Sequence, residues 1–146
     1  MRLAHRMRAR LLARTRSAAR GSASAFVVGM VIVLFACAGL VLDGGTALNA
    51  RMKLADDLEN ASRAGAQMID VVNLQENGVL TINASAAQQR AADHLAGLGY
   101  EAINVVVNDN TVTVSARDTI DTALLSLIGI GDFDISATAS ATAEIP

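Results

Sequence analysis

GSASAFVVGMVIVLFACAGLVL, residues 21–42, runs for twenty-two residues without a charge. As a helix it extends roughly 33 Å at ~1.5 Å per residue, enough to cross the ~30 Å hydrocarbon core of a bilayer. The flanks orient it. Upstream stand Arg2, Arg6, Arg8, Arg10, Arg14, Arg16 and Arg20 with no acid, and downstream Asp43 follows at once. Short Arg-rich segments are retained in the cytoplasm, so the N-terminus is expected inside and everything after residue 43 outside. The chain's net charge of −2 conceals this division, because all but five of its twelve basic residues lie before residue 22 and all fourteen acidic ones after it.

A removable leader is the competing reading of a basic segment followed by an apolar one. Ala36-Cys37-Ala38 offers a small-residue exit and Leu34-Phe35-Ala36-Cys37 a loose lipoprotein box. Gly39-Leu40-Val41-Leu42 carry the apolar run past both, and bulky Phe35 fits the box poorly. The uncleaved span is favoured. The single cysteine, Cys37, then sits in the membrane as a small apolar residue, and one cysteine builds neither an internal disulfide nor a thiolate zinc site. An Arg-rich arm also suits phosphate backbones, but an arm tethered beside a membrane span meets anionic lipid headgroups, and no nucleic-acid partner is expected.

Length allows one compact domain beyond the span. Trp is absent and the apolar fraction leans on alanine, so the core is expected to be small and closely packed. Asp43-Gly44-Gly45 is a potential break, yet helical periodicity resumes at Thr46. Ala47, Ala50, Leu54, Leu58, Ala61, Gly65, Met68 and Val72 share a face opposite Asp56, Asn60, Arg63, Gln67 and Asp70. Asn77-Gly78 is a turn signal, and Val79–Ile82 a short strand or extended linker. Ser85 with Gln88 forms a capping-box pattern opening a helix over 85–97, stopped by Gly97 and Gly99.

Ala102–Val107 and Thr111–Arg117 are β-branched runs joined by Asn108-Asp109-Asn110, which predicts a hairpin with Val112, Val114 and Ala116 on one face. Asp118 and Asp121 suit the start of another helix, with an apolar stripe of Ile120, Ala123, Leu124, Leu127 and Ile128 ended by Gly129 and Gly131. Residues 135–145 alternate Ile or Ala with Ser, Thr or Glu, the period of a strand with one buried face. Its four alanines leave room for a helix to approach.

The expected class is α+β. A cytoplasmic tail (1–20) and transmembrane helix (21–42) continue into an amphipathic stalk helix (43–75). A small helix-hairpin-helix-strand head (76–146) follows, its sheet of roughly three strands with the last beside one hairpin edge.

Candidate chemistry is sparse. His5 and His94 fall on opposite sides of the span. His94 with Asp93 and Glu101 lacks metal-ligand spacing, and Asp132 and Asp134 lack that of a calcium loop. Asp118 and Asp121 are explained by capping, and Gly44-Gly45 has no phosphate-loop ending. No catalytic residue, cofactor, metal or small-molecule substrate is expected. Within the span, Ala25 and Gly29 form a small-xxx-small pair suited to a neighbouring helix.

The stretch from Arg20 to Ala66 resembles the N-terminal region of TadE/TadG-like proteins of the tight-adherence, Flp-type pilus-assembly systems. Arg20-Gly21-Ser22 opens the span, Asp43-Gly44-Gly45 closes it, and Leu54-Ala55-Asp56, Ala61 and Ala64-Gly65-Ala66 mark the Ala-rich helix beyond. The terminal SATASATAEI is similar to these domains' last strand. The resemblance implies a membrane-anchored pilus-assembly or minor pseudopilin-like protein. It implies contacts with other pilus-assembly or secretion membrane proteins and with pilin subunits, and no enzymatic activity. It also implies a candidate prepilin-peptidase-like cleavage after Gly21. The fifth residue beyond Gly21 is Phe26 where pseudopilins carry Glu, which favours the TadG-like form that keeps its arginine tail. The alternative is a membrane-anchored extracytoplasmic binding or sensory module, which requires a concave apolar pocket in the head.

Overall fold

The structure is a computed structural model that describes the backbone of residues 3–144 and the side chains of residues 22–144. The arginines of the tail and the candidate cleavage point at Gly21 lie outside the residues whose side chains are described. Helix α1 (Leu3–Ala66) leads into α2 (Val71–Asn77), α3 (Ala84–Ala96), β1 (Glu101–Asn108), β2 (Thr111–Asp121), a 3₁₀ turn (Leu125–Ile128) and β3 (Asp132–Thr142). The class is α+β, with a long N-terminal apolar helix and one antiparallel sheet in the order β1-β2-β3.

Two halves of α1 meet different surroundings. From Phe26 to Leu42 its large side chains are exposed all round, whereas Leu54, Leu58 and Ala61 beyond the glycines are fully buried. Gly44 and Gly45 do not interrupt it, because a helix tolerates glycine at a modest cost where flanking turns hold. Leu54, Leu58, Ala61 and Ala66 form one core cluster with Ala87, Ala91 and Leu95 of α3 and Val112, Val114 and Ala116 of β2. The hairpin face read from alternation is therefore the buried one. Gly65 marks a close approach of these elements. A Cβ there would lie 3.1 Å from the Ala87 carbonyl oxygen and 3.1 Å from Val112 Cγ1, so α1, α3 and β2 converge on it. Ala137, Ala139 and Ala141 of β3, with Ala143 just beyond its end, pack half-buried against this cluster, and β3 runs along α1.

Local chemistry explains the short elements and corrects three expectations. The helical pattern traced through Val72 stops at Ala66. Met68 and Asp70 leave the helix to exchange backbone hydrogen bonds with Asn83 and Thr81, and Ile69 bridges Ile82, so extended pairing replaces the next helical turn. Asp70 then caps α2, its side chain accepting from the Asn73 N–H at 3.1 Å, and Val72 ends up exposed. Helix α3 begins earlier than Ser85 implied. Asn83 is its N-cap, accepting from the Ala86 N–H at 3.1 Å, and Ser85 donates to that same Asn83 oxygen.

The third correction concerns residues 118–128, which are not a helix. Strand β2 continues to Asp121, pairing Asp118 with Ile135, Thr119 with Asp134, Ile120 with Phe133 and Asp121 with Asp132. Asp132 and Asp134, which lack calcium-loop spacing, are accordingly residues of β3. What remains of the apolar stripe is a four-residue 3₁₀ turn closed by Gly129 at φ 91°.

Candidate functional site

Asp43 is the one buried acidic residue among the described residues, with 5% of its surface exposed at the point where the apolar half of α1 meets the domain. Its carboxylate accepts three backbone hydrogen bonds from a segment some eighty positions away. The Ala123 N–H donates to Oδ1 at 3.0 Å, and the Leu124 and Leu125 N–H groups donate to Oδ2 at 2.9 and 2.7 Å. These are the donors that the first turn of a helix leaves unpaired, so Asp43 caps the 3₁₀ turn from a different element. The Leu125 N–H holds the carboxyl below its ordinary range. Burial opposes that effect, and the Ala123 and Leu124 donors reinforce it.

One helical turn earlier, Gly39 completes the socket. A Cβ at this position would stand 3.1 Å from Leu125 Cδ2 and 3.2 Å from Leu124 Cβ, so the turn seats directly on the bare helix backbone. Gly39 and Asp43, four residues apart, share one face of α1. The first admits the turn and the second binds its N–H groups. The arrangement fixes the domain against the apolar helix and leaves the carboxylate's acceptor sites committed to structure.

The remaining polar residues are tied down in similar ways. Tyr100 donates to Asp57 Oδ2 at 2.5 Å, bracing the start of β1 against α1. Burial, then that hydrogen bond and the charges of Asp57 and Asp118, push its phenol up to about 12. Arg63 pairs with Glu59 on the exposed face of α1. Among the described residues no group of histidine, cysteine and carboxylate side chains is placed to hold a metal, and no buried side-chain polar atom lacks a partner.

The residues singled out from sequence stay apart. His94 is exposed on α3, Asp93 is exposed beside it, and Glu101 begins β1. Asp118 and Asp121 stand on β2 opposite different partners. Cys37, Ala25 and Gly29 lie on the exposed surface of the apolar helix, and a Cβ at Gly29 would have nothing within 4 Å among the described residues. The Gly39–Asp43 socket was missed by sequence reasoning, which read Asp43 as the end of the span. The available signal was a carboxylate abutting an apolar run with a glycine one turn before it.

Fold and socket together define a class: a small α+β domain built on one half of a helix whose other half, within Ser22–Ala66, is long and apolar enough to cross a membrane. Residues 21–68 match the family described as putative Flp pilus-assembly TadE/G-like, which bears out the resemblance read from Arg20–Ala66. The matched segment contains the apolar run, both socket residues and the core-facing stripe, and it ends before α2. The family's description is one of assembly and not of a reaction. No curated protein and no solved structure matches the chain.

Proposed function

We propose that this protein is a membrane-anchored assembly component of a Flp-type pilus, minor pseudopilin-like in build, that acts by protein–protein contacts and catalyses nothing. The observation that carries the reading is the family match over the apolar helix and its junction with the domain. In this reading residues 22–42 cross the membrane and the arginine tail remains cytoplasmic, held by anionic headgroups. The domain beyond Asp43 stands outside. Ala25 and Gly29, small and uncovered on the helix surface, are the face offered to a neighbouring membrane helix. Other pilus-assembly and secretion membrane proteins and pilin subunits are the partners.

Phe26 favours retention of the tail, since a subunit lacking the pseudopilin carboxylate has no group there to meet a neighbour's new N-terminal amine. Deleting the gene in its native host tests the assignment. Loss of Flp-type pili in electron micrographs, restored by the full-length chain, is the expected result, and normal piliation of the deletion strain rejects it. Intact mass of the protein recovered from native membranes distinguishes a retained arginine tail from a chain beginning at Ser22.

A further inference from the structure

The loop between β2 and β3, Thr122–Gly131 (TALLSLIGIG), contains no charged residue and turns three of its apolar side chains outward. Leu127 is 80% exposed, Ile128 54% and Ile130 43%. A cluster of this kind on a domain exterior marks a surface that is covered in use. Its position says by what. Leu124 and Leu125 rest on Gly39, and an apolar cleft of about 310 Å³ separates Leu127 and Ile128 from Ile32, Phe35 and Ala36. Phe35 and Ile32 lie seven and ten residues before Leu42, the end of the uncharged run. At ~1.5 Å per residue the loop therefore reaches about 10–15 Å down the span, a depth comparable to one leaflet's hydrocarbon.

We propose that this loop is a second membrane contact, with Leu127, Ile128 and Ile130 among the lipid acyl chains of the leaflet that the span leaves at Leu42. The inference rests on residues 22–42 crossing the membrane. Two features of the loop suit that environment. Carboxylates stand at its neck and none stands within it. Asp121 pairs with Asp132 across the two strands, and Asp43 binds the N–H groups of Ala123, Leu124 and Leu125. Its backbone is also largely satisfied from within the protein, as irregular chain at membrane depth requires. Three N–H groups go to Asp43, and those of Thr122, Leu127, Gly129 and Ile130 go to carbonyls of the loop itself. The hydroxyls of Thr122 and Ser126 donate to the Ile130 and Ala123 carbonyls.

Spin-label accessibility on the full chain in lipid vesicles tests the proposal. In a Cys37→Ala background, Leu127→Cys is compared with Leu34→Cys in the apolar run and Thr138→Cys on β3, all three at exposed positions. The expected result is a nitroxide at 127 that collides readily with oxygen and poorly with a water-soluble nickel chelate, as at 34 and opposite to 138. A label at 127 that behaves like the one at 138, while 34 remains in lipid, overturns the loop contact and leaves the span standing. Collision with neither reagent at 127 means that protein covers the patch, and this also overturns it. A water-exposed label at 34 removes the span itself.

Discussion

Replacing Leu58 with alanine measures how far the domain depends on α1. Leu58 is fully buried in the cluster where α1, α3 and β2 meet. Three carbons are removed, and at ~0.8 kcal/mol per buried methylene the transfer loss is about 2.4 kcal/mol. The cavity adds to this. Much of the surrounding cluster is alanine (Ala61, Ala87, Ala91), and such side chains have no rotamers with which to fill the space, so a total of at least about 3 kcal/mol is expected. For a domain of about this size each kcal/mol shifts Tm by ~4–8 °C, giving a fall of roughly 12–24 °C. Met52→Ala on the same helix, at a position 59% exposed, is expected to stay within about 0.5 kcal/mol of the parent. The assay is thermal unfolding of the full chain in micelles, followed by the near-ultraviolet signal of Tyr100, the only tyrosine in a chain without tryptophan. Far-ultraviolet ellipticity suits less well, because an apolar helix stays helical in detergent when the domain melts. Equal shifts for the two variants would refute the assignment of this half of α1 to the core.

Asp43→Asn keeps the shape and removes the charge that receives three N–H groups, so hydrogen exchange at residues 123–125 should accelerate and Tm should fall. Because the fold lowers this carboxyl's pKa, its stabilisation is fully present above the ordinary carboxylate value and is lost as pH falls through the lower folded one. The parent's Tm should therefore drop in strong acid by more than that of the variant. Tyr100 should ionise near pH 12 in the folded protein and near pH 10 after unfolding, read from tyrosinate absorbance. Its raised value means that the contribution of the phenol is whole below about pH 10 and disappears as pH passes about 12. A folded-state midpoint near 10 contradicts the Asp57 contact. Gly39→Val drives a side chain into Leu124 and Leu125 and should lower Tm and release the 3₁₀ turn. Gly29→Val meets nothing among the described residues and should leave Tm unchanged.

The elements legible in the sequence are those whose signal is local. The uncharged run, the helix read over 85–97, the hairpin of 102–107 and 111–117 and the alternating last strand each carry a local signal, and the structure contains all four with ends shifted by a few residues. The failures have distant causes. Thr119-Ile120 between two aspartates fits a capped helix and a strand equally well, and only pairing with Phe133 and Asp134 decides for the strand. The stripe through Met68 and Val72 remains periodic past Ala66, but Thr81 and Asn83 capture the backbone there. Asn83 displaces Ser85 as the cap because a residue placed just outside the helix reaches the free N–H better than one already inside it. Asp43 looked like punctuation for the same reason, since its partners lie eighty positions further on and no spacing rule connects them.

The alanine face of β3 lies against a helix made long before it. Chain order runs α1 first and β3 after every other described element, and the pairing of the two closes a loop of more than sixty residues. During synthesis α1 therefore waits with Leu54 and Leu58 uncovered while the rest of the domain is made, and the core is sealed only when Ile135 and the alanines beyond it arrive. A chain terminated before Ile135 would keep its apolar helix and its hairpin yet present a greasy, unsealed groove, the kind of surface that quality-control proteases take first.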